Sequence, residues 1–180
     1  MIVHINSYPG VGKLTIGRAL ADLIGGKLLD NHSVFNVAFA LTEFRSPAFY
    51  DTVRAVREIA YQRILDLPRA VPVVLTNWYS QGSAWGEENW DRAIALAKQR
   101  HCPLNVVILT CLPEENARRI GAPERSGKRK PQDPEMVSDN RNGRPLLDRG
   151  GDRLLRLDVT HLSASEAAQE IARWLSGPVS

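Results

Sequence analysis

Cysteine is scarce in this chain of 180 residues: Cys102 and Cys111 are the only two. They lack the close spacing of a metal knuckle and have only His101 beside them, so they read as reduced structural thiols rather than a zinc site. No apolar run approaches the roughly 20 residues that a membrane helix needs. The first expected strand begins at Ile2, which leaves no room for a basic segment plus an apolar leader, so a cytoplasmic protein without a membrane partner is expected. An excess of one charge sign is also missing. The formal net charge is +3, which gives no global footprint for nucleic acid, although a pI of 9.1 allows local basic patches. There is no repeat, and an apolar content of 43% suffices for one core, so residues 1–180 are read as a single domain.

What is present is concentrated near the start. Ile2, Val3 and Ile5 form an apolar strand pattern, Ile16, Ala19, Leu20 and Leu23 a helical one, and Ser7-Tyr8-Pro9-Gly10-Val11-Gly12-Lys13-Leu14-Thr15 lies between them. A strand, a glycine turn and a helix N-terminus aim backbone N–H groups at one point, where a polyphosphate fits, and Lys13 adds a point charge. The phosphate-binding candidates are therefore Pro9, Gly10, Val11, Gly12, Lys13, Leu14 and Thr15. Ser7 stands where the usual pattern has its first glycine, and Leu14 where it has a hydroxyl. Without that hydroxyl, Mg²⁺ is left to water, nucleotide oxygens and Thr15.

Strand and helix patterns then alternate. Lys27 to Leu29 reads as a strand ending at Asp30, Ser33 to Leu41 and Pro47 to Leu67 as helices, Ala70 to Leu75 as a buried strand, and Trp90 to Gln99 as a helix. Leu104 to Leu109 reads as a strand, Pro113 opens a helix, Arg153 to Leu157 is a last strand, and Ser163 with Glu166 forms a capping box for a final helix to about Leu175. Such alternation implies an α/β fold of three layers, a parallel sheet with helices on both faces. Ligands in such folds bind beyond the carboxyl ends of the strands, which selects Ser7 onward, Asp30, Asn77 and Thr160. Residues 121–134, basic and rich in proline and glycine, are the candidate lid, followed by helix near 134–142.

Asp30 reads either as the group that takes a proton from an attacking hydroxyl, with a share in holding Mg²⁺, or as the N-cap of the following helix. His32 reads mainly as a surface or capping residue. Thr76-Asn77-Trp78 ends the third strand without the carboxylate that nucleotide hydrolases use for metal, which disfavours motor-type hydrolysis. Asn77 instead suits hydrogen bonding to an acceptor, with Trp78, Tyr79 and Trp85 either lining its pocket or closing the core edge. Arg118, Arg119, Arg125, Lys128, Arg129 and Lys130 cluster on and before the lid, with Arg141 and Arg144 beyond. Arginines there, Arg119 and Arg125 foremost, would stabilise charge on a transferring phosphoryl group; for Arg125 and the lysines a solvated surface is the alternative. No aromatic residue lies inside the run to stack on RNA bases. Arg54 and Arg57 on the long third helix would clamp an acidic acceptor, or Arg54 would pair along an exposed helix face with Asp51 and Glu58.

Taken together, Pro9-Gly10-Val11-Gly12-Lys13-x-Thr15, the strand end at Asp30, Pro113 to Arg119 before a basic lid, and Asp158-Val159-Thr160 after the last strand resemble the nucleoside monophosphate and shikimate kinase branch of the P-loop proteins. The chain is similar in outline also to chloramphenicol phosphotransferases, gluconate kinases and tunicamycin-resistance ATP-binding proteins. The resemblance implies a five-stranded parallel sheet, ATP with Mg²⁺, Lys13 on the β and γ phosphates, Arg118 or Arg119 stacked on adenine, and Thr160 with His161 edging the base. It implies transfer of the γ-phosphate to a hydroxyl of a small molecule, with Asp30 contacting that hydroxyl. The competing reading is a regulatory or resistance protein that binds ATP and turns it over little. Asn77 to Gly82 differs from the glycine-rich turn of shikimate kinases, so the acceptor stays open.

Overall fold

The computed structural model describes residues 1–121 and 144–177. The candidate lid beyond Gly121, Arg125, Lys128, Arg129, Lys130, Arg141 and the helix expected near 134–142 lie outside these residues. Five strands, β1 (Ile2–Ser7), β2 (Lys27–Asp30), β3 (Val73–Asn77), β4 (Leu104–Thr110) and β5 (Arg153–Asp158), form one sheet in the order β2-β3-β1-β4-β5. Every pairing is parallel. The helices are α1 (Lys13–Leu23), α2 (Asn31–Leu41), α3 (Pro47–Asp66), α4 (Ala84–Gln99), α5 (Pro113–Ile120) and α6 (Ala164–Ser176).

The period-2 geometry of a strand divides β1 between two cores. Ile2 packs with Tyr61, Ile64, Trp90 and Leu96 of α3 and α4. Val3 and Ile5 pack on the other face with Ile16 and Leu20 of α1 and Ala167 and Ile171 of α6. A third, separate cluster joins α2 and α3 through Val34, Ala38, Phe49 and Val53. The connection leaving β1 runs to one side, to β2, and that leaving the adjacent β4 runs to the other, to β5, so a crevice opens at their carboxyl ends.

Helix starts follow their caps. Asp30 accepts the His32 N–H at 3.1 Å, so α2 begins at Asn31, two residues before the hydrophobic spacing suggests. Ser83 accepts the Gly86 N–H at 3.1 Å and starts α4 at Ala84, six residues earlier than expected from Trp90. The capping box of Ser163 and Glu166 is present at α6. β3 begins only after Pro72, whose missing N–H removes it from the ladder. Among the described residues no helix is long and apolar enough to cross a membrane.

His4, on the α3/α4 side of β1, is fully buried between Trp90 and Tyr79, with ring centroids 4.6 and 5.8 Å away. Neither ring nitrogen has a hydrogen-bond partner among the described residues. Burial, and then the Arg57 guanidinium, push its pKa from the usual 6.5 down to about 3. Between those values the unfolded chain binds a proton that the folded chain does not, so stability falls as pH drops from 6.5 towards 3. The limiting slope is about 1.4 kcal/mol per pH unit. His4→Leu is therefore expected to lose roughly 3 kcal/mol less than the wild type between pH 7.5 and pH 4.5, measured by urea denaturation; parallel losses would show that His4 does not resist protonation.

Candidate functional site

The segment after β1 wraps tightly because two of its residues occupy left-handed backbone space, Gly10 at φ +88° and Gly12 at φ +113°. At Gly10 a Cβ would lie 2.4 Å from Ile120 Cγ1 and 2.5 Å from Asn116 Nδ2, so α5 is seated directly on the loop.

Several carbonyls of the loop accept hydrogen bonds from α5, from Lys13 and from the first turn of α1. Asn116 Nδ2 donates to Pro9 O at 2.9 Å, Arg119 Nη1 to Val11 O at 2.7 Å, and Lys13 Nζ to Ser7 O and Tyr8 O at 3.4 and 3.2 Å. Gly12 O accepts the first bond of α1, from Ile16 N, at 2.9 Å. In a trans peptide the C=O and the following N–H point in opposite directions, and the described chain has no cis bond. The Gly10 and Gly12 N–H groups therefore face away from α5, and the N-terminal amides of α1 continue the same surface. This is a concave array of donors with an ammonium group beside it, the arrangement that holds an oxyanion chain.

Arg119 ties this loop to the end of the sheet. Besides Val11 O it donates to Val159 O at 2.9 Å, to Thr160 O at 3.3 Å and to Glu115 at 2.6 Å. Its side chain is 20% exposed, against 72% for Arg118, which meets Glu115 through two bonds of 2.7 Å. Those bonds from Arg118 and Arg119 push the Glu115 pKa down to about 2. Arg119 is thus placed at the rim of the loop with its nitrogens already engaged, and Arg118 faces solvent. Thr160, whose hydroxyl accepts the Leu112 N–H at 2.8 Å and donates to Asp158, closes the same rim.

On the other side of β1 the sheet places Asp30 and Asn77. Asp30 is level with Thr76, and Thr76 with Ile5, so Asp30 stands two strand spacings from β1, about 10 Å. Its carboxylate accepts the Thr76 hydroxyl at 2.8 Å and the His32 N–H at 3.1 Å. Both contacts are compatible with a further role, since a carboxylate offers about four acceptor positions. Asn77 accepts the Tyr79 hydroxyl at 2.9 Å. Asp30, Asn31, Asn77 and Arg57 share a recess of about 10 Å³, enough for one oxygen-sized group. Thr15 is exposed on the first turn of α1. Among the described residues no cluster of three or more His, Cys, Asp or Glu side chains forms a metal-holding group.

Beyond the recess lies a cleft of about 620 Å³ walled by Phe35, Phe44, Phe49, Tyr50, Trp78 and Trp85. Trp78, Tyr79 and Trp85 all line this cleft and also pack in the interior, Tyr79 and Trp78 with the α3/α4 core and Trp85 with the α2/α3 cluster. Arg45 and Arg144 are at its edge. The two arginines of α3 separate sharply. Arg54 is held on the surface by Glu88 at 2.9 and 3.0 Å and by Asp51 at 3.1 Å. Arg57 is 2% exposed, makes no ion pair with a described residue, and its Nη1 is buried without a hydrogen-bond partner. Its guanidinium lies 5.8 Å from the Phe35 ring centre and 5.6 Å from that of Trp85. Rings at this range return about 2 kcal/mol to a desolvated cation, less than the several kcal/mol that burial of a charge costs.

Asn116 and Phe35 are site residues that sequence spacing does not single out, whereas Arg57 is expected with Arg54 on the third helix. Asn116 carries a signal only in retrospect, as a polar residue on the face of α5 that also presents Ile120.

No protein-family model and no curated protein matches the sequence. Solved structures do match. A Chloroflexus aurantiacus protein described only provisionally as a kinase superposes with a TM-score of 0.65 at 19% identity, over 97% of this chain and 94% of that one. Shikimate kinase from Bacteroides thetaiotaomicron gives 0.61 at 15% identity, over 98% and 99%. The tunicamycin resistance protein of Deinococcus radiodurans gives 0.60 at 13% identity, over 98% and 96%. The chain has the P-loop kinase-like fold, as its opening motif suggests.

A Cβ on Gly10 meets Ile120 and Asn116 and also forces a residue with a side chain to φ +88°. Gly10→Ala is expected to cost about 2 kcal/mol or more, read as a fall in the free energy of urea unfolding; an unchanged value would mean that α5 does not rest on the loop.

Proposed function

We propose that the protein is an ATP-dependent phosphotransferase that moves the γ-phosphate to a hydroxyl group of a small acceptor. The observation that carries this reading is the loop at residues 8–15, which turns its carbonyls outward onto Asn116 and Arg119 and lays Lys13 across its own end. Shikimate kinase, a structure of the same fold, supports the reading by its name.

When bound, Mg-ATP supplies the phosphoryl group and a divalent charge on its oxygens. The residues that would hold it are the loop amides and Lys13, which exchanges weak contacts with Ser7 O and Tyr8 O for phosphate oxygens. Thr15 and Asp30 are the side chains offered to the metal. Arg119 and Thr160 border the space next to the loop where the base would lie. Asp30 keeps lone pairs free of Thr76 and His32 and accepts the proton of the acceptor hydroxyl, whose oxygen bonds the γ-phosphorus as the bond to the bridging oxygen breaks and ADP leaves with that electron pair. Arginines that close over this charge would exclude water. The acceptor is a small molecule held on the cleft side, and the sequence 121–134 contains no aromatic residue to stack on bases.

Leu14, which lacks the usual hydroxyl, favours a second reading in which ATP binds and is turned over little. Acceptor-dependent ADP release separates the two.

Lys13→Ala is expected to abolish the rise in melting temperature given by Mg-ATP, and retention of that rise would remove the loop assignment. Asp30→Asn should leave α2 capped, because Asn is as good an N-cap, and should spare ATP binding. Transfer, followed as ADP release with an acceptor, is expected to drop by about 100-fold or more; undiminished turnover would leave Asp30 a cap alone.

A further inference from the structure

We propose that the exposed row Asp51, Ala55, Ile59 and Arg63 of α3 is an interface with a second copy of this chain, the two helices lying antiparallel about a two-fold axis. The row is on the side of α3 turned away from Phe49, Val53, Arg57 and Tyr61, so this inference is independent of the phosphotransferase reading.

The four residues stand four apart in a helix of 20 residues and form one ridge along its surface. Ile59 is 66% exposed and belongs to none of the three apolar clusters, and Ala55 beside it is exposed as well. The water-facing side of a helix is ordinarily charged or polar along its length. Here charge stands only at the two ends of the ridge, and its sign differs between them. The Asp51 side chain is 75% exposed and that of Arg63 76%. On one flank the next ridge, Ala48, Thr52, Val56 and Ala60, carries no charge. On the other, Arg54, Glu58 and Asp66 each have an ion-pair partner within the chain.

That order has one simple complement. In a two-fold contact residue i meets j and j meets i. Turned end for end about a point level with Arg57, the ridge brings Asp51 against Arg63 of the second copy and Ile59 against its small Ala55, and the same two contacts recur in reverse. Arg63 then lies between Asp66 of its own helix, 3.1 Å away, and Asp51 of the second copy. A surface of single charge sign, such as a nucleic acid or an anionic membrane, would meet a like charge at one end of the ridge. The rearrangement costs each copy little, because the Asp51–Arg54 and Arg63–Asp66 contacts are i, i+3 pairs at the surface. Arg54 keeps Glu88. One helix face is smaller than a standard interface, so the dimer is dissociable, with a Kd on the order of micromolar.

Sedimentation equilibrium of the full chain without ligand, from about 1 to 200 µM, tests this. The wild type is expected to pass from monomer to dimer over that range. Ile59→Glu, Asp51→Arg and Arg63→Asp should each raise the Kd by about tenfold or more. Combining Asp51→Arg with Arg63→Asp reverses the ridge and should return the Kd to within about threefold of the wild type. All of these positions are exposed, and circular dichroism melts check that the fold is kept. A wild type that stays monomeric throughout overturns the proposal. So does a dimer indifferent to Ile59→Glu, or a double variant no tighter than the single charge reversals. Should a reversed variant melt early, Asp51→Asn and Ile59→Ser take its place with weaker dimers expected, and unchanged dimerisation in both overturns the proposal.

Discussion

A loop that gathers N–H groups on its inner side must send its C=O groups outward, and in a folded protein those oxygens need donors. Everything at this site depends on how that demand is met. Pro9 O and Val11 O are taken by Asn116 and Arg119, both on α5, and Gly12 O by the first turn of α1. A helix of eight residues thereby fixes the orientation of peptide planes that it does not itself contain. The close seat is possible because Gly10 has no Cβ to hold Ile120 away. Concavity of the loop is a property of the loop and α5 together.

The same helix sorts its two arginines. Positions 118 and 119 are neighbours in sequence, but successive helical residues point about 100° apart, so one meets the protein and the other meets water. Arg119 spans Val11, Val159 and Thr160, linking the phosphate loop to the turn after β5. Glu115 receives both guanidinium groups and fixes the Arg119 head laterally. An arginine whose donors are committed to three carbonyls and a carboxylate is an efficient brace for a rim.

The sheet, its parallel order and the loop were legible because they follow from patterns with few solutions. Apolar runs at Ile2, Val73 and Leu104 alternate with helical spacing, and a glycine turn with lysine has a narrow set of uses. Helix starts were less legible where a cap precedes a polar first turn: Ser83 begins α4 ahead of Gly86, Glu87 and Glu88, which carry no apolar stripe. Arg54 and Arg57 show the limit more clearly. Both sit on α3 three residues apart; the i, i+4 row of Phe49, Val53 and Tyr61 puts Arg57 on the buried face, but spacing cannot say what Arg54 meets. That outcome depends on Glu88 of α4 meeting Arg54, a contact 34 residues distant in sequence. The aromatic wall was readable as composition, through Trp78 and Trp85, but Phe35 and Tyr50 join it only through the packing of α2 on α3.

That packing has a consequence for how the molecule divides its chemistry. The phosphate loop grows out of β1, at the junction of the two large cores. The aromatic cleft rests in part on the smaller cluster of Val34, Ala38, Phe49 and Val53, which carries Phe35, Tyr50 and Trp85, while Trp78 and Tyr79 belong to the α3/α4 side. Satellite cores of this kind bury less surface and tolerate substitution with less effect on the rest of the fold. Asp30 is where the two regions meet: it ends a strand of the sheet, caps the first helix of the satellite, and is steadied by Thr76 from the strand beside it. On the proposed reading, the group that would take the acceptor's proton is thus anchored to the sheet beside the phosphate loop, while part of the cleft next to it is carried by α2 and α3.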